Sequence, residues 1–227
     1  MNSSKNFNLI VPAAADKAVY AERMPSVFMM DSEGVMRCVR SILGLNLDIF
    51  DHIYFTILRK HAERYDIDTL LSLQFKRLDL EKKVTIVILD EPTDTQAETI
   101  VRTIEREDIN GAIFIKDADS YFKAEIYPEN GVSVYPLEAL ELVDPRHKSS
   151  VAVDDMQHIT NIIEKRIVSN LFNAGGYCFE NVDDFLSIYT RLAGLGNIYL
   201  SHLIYALLLD GHLFRPVRVS DYQDCNI

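Results

Sequence analysis

Apolar residues along this chain fall into short continuous runs separated by segments of helical periodicity. "NLIVPAA" (residues 8–14), "HIYFTIL" (52–58) and "KVTIVIL" (83–89) are unbroken apolar runs rich in β-branched and aromatic residues. Such runs predict strands covered on both faces, as in a parallel sheet. Between them, "GVMRCVRSILGL" carries Val35, Val39, Ile42 and Leu43 at helical spacing, and "KHAERYDIDTLLSLQFKRL" reads as helical throughout. "TQAETIVRTIERE" opens with Thr95 and, three residues on, Glu98, the signature of a capping box. "GAIFIKDADSYF" (111–122) follows as a fourth strand. The alternation of strand and helix predicts a doubly wound α/β unit.

Beyond Phe122 the rhythm changes. "GVSVYPL", "SSVAVDD" and "HITNIIEK" are short β-like segments with no helix between them, which predicts a mixed or antiparallel extension of the sheet. "GGYCFE" adds a strand, "VDDFLSIYTRL" and "IYLSHLIYALLLDG" are helices, and "LFRPVRVSDYQD" is a late strand. No linker-like tract or internal repeat interrupts the 227 residues, so a single domain is expected.

Composition narrows the function. A formal net charge of −11 argues against a nucleic-acid binder. Local basic clusters remain: Lys116, Lys123, Arg146-His147-Lys148 and Lys165-Arg166, each read as solvated loop charge by the usual exposure of charged residues. Three cysteines far apart in sequence fit a reducing cytoplasm. The N-terminal stretch is too poor in apolar residues for a signal peptide, and the apolar core of "IYLSHLIYALLLDG" is too short for a membrane span. A cytoplasmic protein with no membrane contact is expected, with homo-oligomerisation left open.

The chemistry concentrates where "GAIFIK" runs into Asp117 and Asp119. A buried carboxylate is costly unless it is paired or binds a cation. In open α/β sheets, ligands bind beyond the carboxyl ends of the strands. Asp117 and Asp119 lie at such an end, with Asp90 and Glu91 at the end of the strand before it in sequence. Oxygen ligands there suit Mg²⁺. Two solvated strand-end acids are the plainer alternative. The six histidines show no metal-like spacing, "GLG" at 194–196 follows no strand, and Cys178 reads as a small buried hydrophobe.

Taken in order, "VPAAADKAVYAERMPSVF", "IKDAD", "IIEKRIVSNLFNAGGYCF" and "YQDCNI" resemble the landmarks of the sugar-phosphate nucleotidyltransferases, a GT-A-like family. The resemblance covers nearly the whole chain. It implies a three-layer α/β/α Rossmann-like domain with a mixed, mainly parallel sheet, residues 8–122 forming a nucleotide-binding half and 123–227 a sugar-phosphate-binding half. It also implies transfer from a nucleoside triphosphate to a sugar phosphate with release of pyrophosphate, in the supply of surface-polysaccharide precursors. By the same resemblance Asp119 and Asp224 would hold Mg²⁺, and Asp119 would be central to catalysis. Ala14, Ala15, Asp16, Gln96 and Asp117 would contact the nucleotide, and Glu164, Lys165, Asn170 and Gly175 the sugar phosphate. The chain departs from the family in its phosphate loop. Ala15 and Lys17 stand at glycines, Val19 at an arginine and Ser26 at a lysine. Lys17 or Arg23 would have to supply the missing charge. Two alternatives follow: a degenerate, non-catalytic relative that binds or interacts, and a GT-A glycosyltransferase using the D-x-D of "DAD".

Overall fold

The computed structural model describes residues 6–14, 23–140 and 144–225. Its main sheet has nine strands. Six are β1 (Phe7–Pro12), β2 (His52–Leu58), β3 (Val84–Leu89), β4 (Ala112–Lys116), β6 (Gly131–Pro136) and β9 (Leu171–Phe179), joined by β10 (Arg215–Arg218) in the order β10-β6-β9-β4-β1-β2-β3. The other two, β7 (Ser150–Val153) and β8 (Ile159–Ile163), form a hairpin attached to β9. β1 pairs parallel with β2 and β4, and β2 with β3. β9 runs antiparallel to both β4 and β6, which makes the sheet mixed. A separate ribbon joins β5 (Ser120–Lys123) to β11 (Ser220–Asp224).

Alternation along the strands fills two cores. Leu9, Val11, Phe55, Ile57 and Phe114 face one side, packing against α2 (Arg59–Tyr65) and α3 (Ile67–Arg77) through Ala62, Leu71 and Phe75. Ile10, Ile113 and Ile115 face the other, against α4 (Gln96–Glu107), α5 (Val182–Leu192) and α6 (Leu200–Leu209). The result is a three-layer α/β/α arrangement, as the runs of the sequence predict. Thr95 caps α4 by accepting from the Glu98 amide at 3.2 Å, while the Glu98 carboxylate accepts from the Asp94 amide at 2.8 Å. No helix among the described residues is long and apolar enough to cross a membrane.

Three expectations need correction. "GVMRCVRSILGL" gives only one α-helical turn, α1 (Arg37–Arg40), then tightens into turns with i→i−3 bonds from Ile42 and Leu43. Gly44 is the reason: a Cβ there would lie 2.0 Å from the Phe122 carbonyl oxygen, so the chain must pass flush against β5. The long helix over 60–78 breaks at Asp66, whose left-handed backbone (φ 52°) separates α2 from α3. The late strand is two strands in different sheets, parted at Val219, whose amide bonds Val134.

Candidate functional site

The turn after β4 is built around a lysine. Lys116 is fully buried, contrary to its reading as a solvated charge. Its Nζ donates to the Asp117 carbonyl (2.9 Å), the Ser120 carbonyl (2.8 Å) and Ser120 Oγ (2.8 Å), and it sits 4.5 Å from the centre of the Phe122 ring. Burial lowers its pKa to about 8, against the opposing pull of Asp117 and Asp119. Ser120 Oγ in turn donates to the Ala174 carbonyl at 3.0 Å, and the Asp117 amide to the Gly175 carbonyl at 2.9 Å. These bonds fold residues 117–119 against β9 and turn both carboxylates toward one cleft.

Gly175 makes that packing feasible. Its φ is +91°, and a Cβ there would lie 2.7 Å from Ser120 Oγ and 2.8 Å from Asp117 Oδ2. Asp117 accepts from the Gln96 side-chain amide at 2.7 Å. Its pKa is raised, first by burial and then by the charge of Asp119, with Lys116 and Gln96 pulling the other way.

Two cavities meet at this acid pair. The first, about 420 Å³, is lined by Ala13, Ala14, Ser26, Thr95, Ile198 and other residues, and the second, about 280 Å³, by Lys148, Ser149, Glu164, Asn173, Tyr177 and Ser201 among others. Gln96, Asp117, Asp119 and Tyr199 line both. The cleft thus has two compartments with a carboxylate pair between them, at the carboxyl end of β4 and beside that of β1. In the second compartment Glu164 Oε2 accepts from Ser149 Oγ (2.5 Å) and Ser201 Oγ (2.7 Å), which fixes its rotamer and bridges the loop before β7 to α6. Tyr177 keeps its phenolic proton, its pKa raised by burial and by Asp117 and Glu164.

No family profile and no curated protein sequence matches the chain. Solved structures do. The nucleoside-diphosphate-sugar pyrophosphorylase of Vibrio cholerae RC9 superposes with a TM-score of 0.73 at 16% identity, covering 97% of this chain and 96% of that one. The inositol-1-phosphate CTP transferase of T. maritima gives 0.73 at 16%, with 97% and 89% covered. A UDP-glucose pyrophosphorylase complexed with UDP-glucose gives 0.68 at 13%, with 98% and 94% covered. The chain has the sugar-phosphate nucleotidyltransferase fold.

Within that nucleotidyltransferase fold, the residues singled out from sequence fall into three groups. Ala14, Gln96, Asp117 and Asp119 line the first compartment, and Glu164 and Gly175 the second. Ala15, Asp16, Lys17 and Val19 lie outside the described residues. The rest do not line either cavity. Arg23 is exposed and lines neither. Asn170 is exposed, its carbonyl accepting from the Leu137 amide, while Asn173, buried on β9, lines the second compartment. Lys165 donates to the Tyr199 hydroxyl at 2.9 Å and lies 4.0 Å from Glu164, lining neither cavity. Asp90 and Glu91 are exposed, and Asp90 pairs with Arg59.

A hard cation needs oxygen donors, and Asp117 and Asp119 supply them where the compartments join. Mg²⁺ commonly uses one or two carboxylates and takes its other ligands from water and phosphate, so this pair fits the ion. Asp224 fits it less well. It pairs in register with Ser120, and the Cys225 amide bonds the Asp119 carbonyl at 2.8 Å, but its carboxylate accepts from Lys148 Nζ at 2.8 Å. Among the described residues no group of three or more His, Cys, Asp or Glu side chains is arranged to hold a metal.

Residues that sequence reasoning missed are Lys148, Ser149, Asn173, Tyr177 and Ser201. The basic cluster at 146–148 was the one visible signal.

Proposed function

We propose that the protein is a nucleotidyltransferase that joins a nucleoside triphosphate to a small phosphorylated, hydroxyl-rich acceptor of the sugar-phosphate class. The observation that carries this reading is the pair of compartments sharing Asp117 and Asp119, in a fold whose solved examples include nucleotide-sugar pyrophosphorylases. The first compartment takes the nucleotide and the second the acceptor. An acceptor phosphate oxygen attacks the α-phosphorus; the bond from that phosphorus to the β-phosphate bridging oxygen breaks, and pyrophosphate leaves with the electron pair. The attacking dianion needs no general base, so the protein's task is positioning and charge neutralisation.

Asp119 and Asp117 would hold Mg²⁺, which when bound neutralises phosphate charge across the waist. Gln96 keeps Asp117 in place. Glu164, oriented by Ser149 and Ser201, accepts from acceptor hydroxyls, and Gly175 lets β9 pass close beneath them. The first compartment has no Lys or Arg lining among the described residues, and a bound metal would carry much of the neutralisation of the triphosphate there. The substitutions at Ala15, Val19 and Ser26 favour a second reading, a relative that binds nucleotide without turning it over. Each missing electrostatic group can cost about 10²- to 10³-fold in rate. Incubation with the four nucleoside triphosphates, Mg²⁺ and a panel of sugar phosphates separates the two. Pyrophosphate release with one pairing supports transfer, whereas saturable nucleotide binding with no pyrophosphate from any pairing supports the binding protein.

A further inference from the structure

The second compartment contains three carboxylates at or near its walls, Asp117, Asp119 and Glu164, and a phosphorylated acceptor would arrive as a dianion. Lys148 is the single Lys or Arg lining either compartment among the described residues. It is not a loose surface amine. Its side chain is 21% exposed, its Nζ is held 2.8 Å from Asp224 Oδ2, and it stands 5.5 Å from the centre of the Tyr222 ring. Lys165, by contrast, is engaged by Tyr199 and Glu164 outside the cavity and is 48% exposed.

From this arrangement we infer that Lys148 grips the phosphate of the acceptor, with Asp224 serving as its tether. The acceptor role rests on the proposed nucleotidyl transfer; the anion site itself rests on the cavity. An ammonium carries three donors, and the bond to Asp224 leaves the group able to meet a phosphate oxygen without giving up its anchor. The ion pair with Asp224 at 2.8 Å offsets the cost of burying the ammonium and holds it at the cavity wall. Hydroxyls then fall to the part of the wall where Ser149, Ser201 and Glu164 are linked by hydrogen bonds. Asp224 thereby acts on the substrate through Lys148.

The test is titration of the whole protein with inorganic phosphate and with glucose 1-phosphate, in EDTA, followed by NMR. Lys148→Met should lose roughly tenfold to a hundredfold in affinity for both, the loss of one charge-assisted hydrogen bond. Because that variant strands the Asp224 carboxylate, Lys148→Met combined with Asp224→Asn is measured beside it and should show the same loss. Lys165→Met should stay within about threefold of wild type. Phosphate binding retained in the double variant, loss in Lys165→Met instead, or no binding of either probe by wild type would each overturn the assignment. Titration with nucleoside triphosphates keeps the two claims apart. If wild type binds the phosphates through Lys148 but no nucleotide, the transferase reading fails and the anion site stands.

Discussion

The side-chain amide of Gln96 donates to Oδ1 of Asp117 at 2.7 Å, tying the first turn of α4 to the end of β4 where the two compartments join. Gln96 is the first residue of its helix, positioned by the Thr95 cap, so a local capping signal fixes one wall of the site. Removing this bond leaves a partly buried carboxylate short of a donor. Gln96→Ala should lower stability at neutral pH by about 1–2 kcal/mol, read from urea unfolding. Gln96→Glu should be worse, because it sets a third carboxylate beside Asp117 and Asp119. Its deficit relative to wild type should shrink as the pH is lowered and the cluster takes up protons. An equal deficit at pH 7 and pH 5 would show that charge is not the cause.

Lys116 gives stability a pH dependence with a definite sign. Its folded pKa of about 8 lies below the 10.5 of an unburied lysine. Between those values the unfolded chain binds more protons, so this group makes stability rise with pH across that window. The unfolding free energy of wild type should therefore gain on that of Lys116→Met from pH 8 to 10.5. Parallel curves would mean that the amine is less desolvated than its position requires.

How much of this was legible in the sequence follows from what each residue's role depends on. The β1, β2, β3 and β4 runs were legible because a strand covered on both faces must be apolar throughout, and Asp117 and Asp119 stood out because they end such a run. The broken helix at Asp66 and the irregular path around Gly44 were not. They depend on a left-handed backbone and on contact with Phe122, and neither leaves a periodic trace. The second compartment was half legible. Glu164 and Gly175 came from ordered landmarks, but Lys148, Asn173 and Ser201 meet only because the β7–β8 hairpin, β9 and α6 converge in space. Lys116 was misread for the same reason, since burial of an ammonium depends on carbonyls supplied by the turn after it.

Gly175 and Gly211 form a natural pair for measuring how tightly the acid turn is packed. Both have positive φ, +91° and +89°, but only Gly175 has atoms close to where a Cβ would fall. Gly211→Ala should cost about 1 kcal/mol from backbone strain alone. Gly175→Ala should cost more, roughly 2 kcal/mol or above, because Asp117 and Ser120 must also move. Chemical denaturation of the two variants checks this, and equal costs would show that the turn yields freely.

Glu164 should act on the acceptor and not on the nucleotide. Glu164→Gln keeps the shape but removes the charge that accepts from Ser149, Ser201 and acceptor hydroxyls. The expected outcome is an acceptor KM raised by about tenfold or more, with nucleotide affinity unchanged. A matching loss of nucleotide affinity would mean that the two compartments do not divide the substrates as proposed.

Nucleotidyl transfer across the Asp117–Asp119 waist is tested most directly by following a label at the α-phosphate of the nucleoside triphosphate. With Mg²⁺ and the matching sugar phosphate, the label should move into a nucleotide-linked product as pyrophosphate appears, and Asp119→Asn should slow this by about a hundredfold or more. No transfer of label with any pairing, transfer of sugar from a nucleotide sugar instead, or an Asp119→Asn variant as fast as wild type would contradict the account.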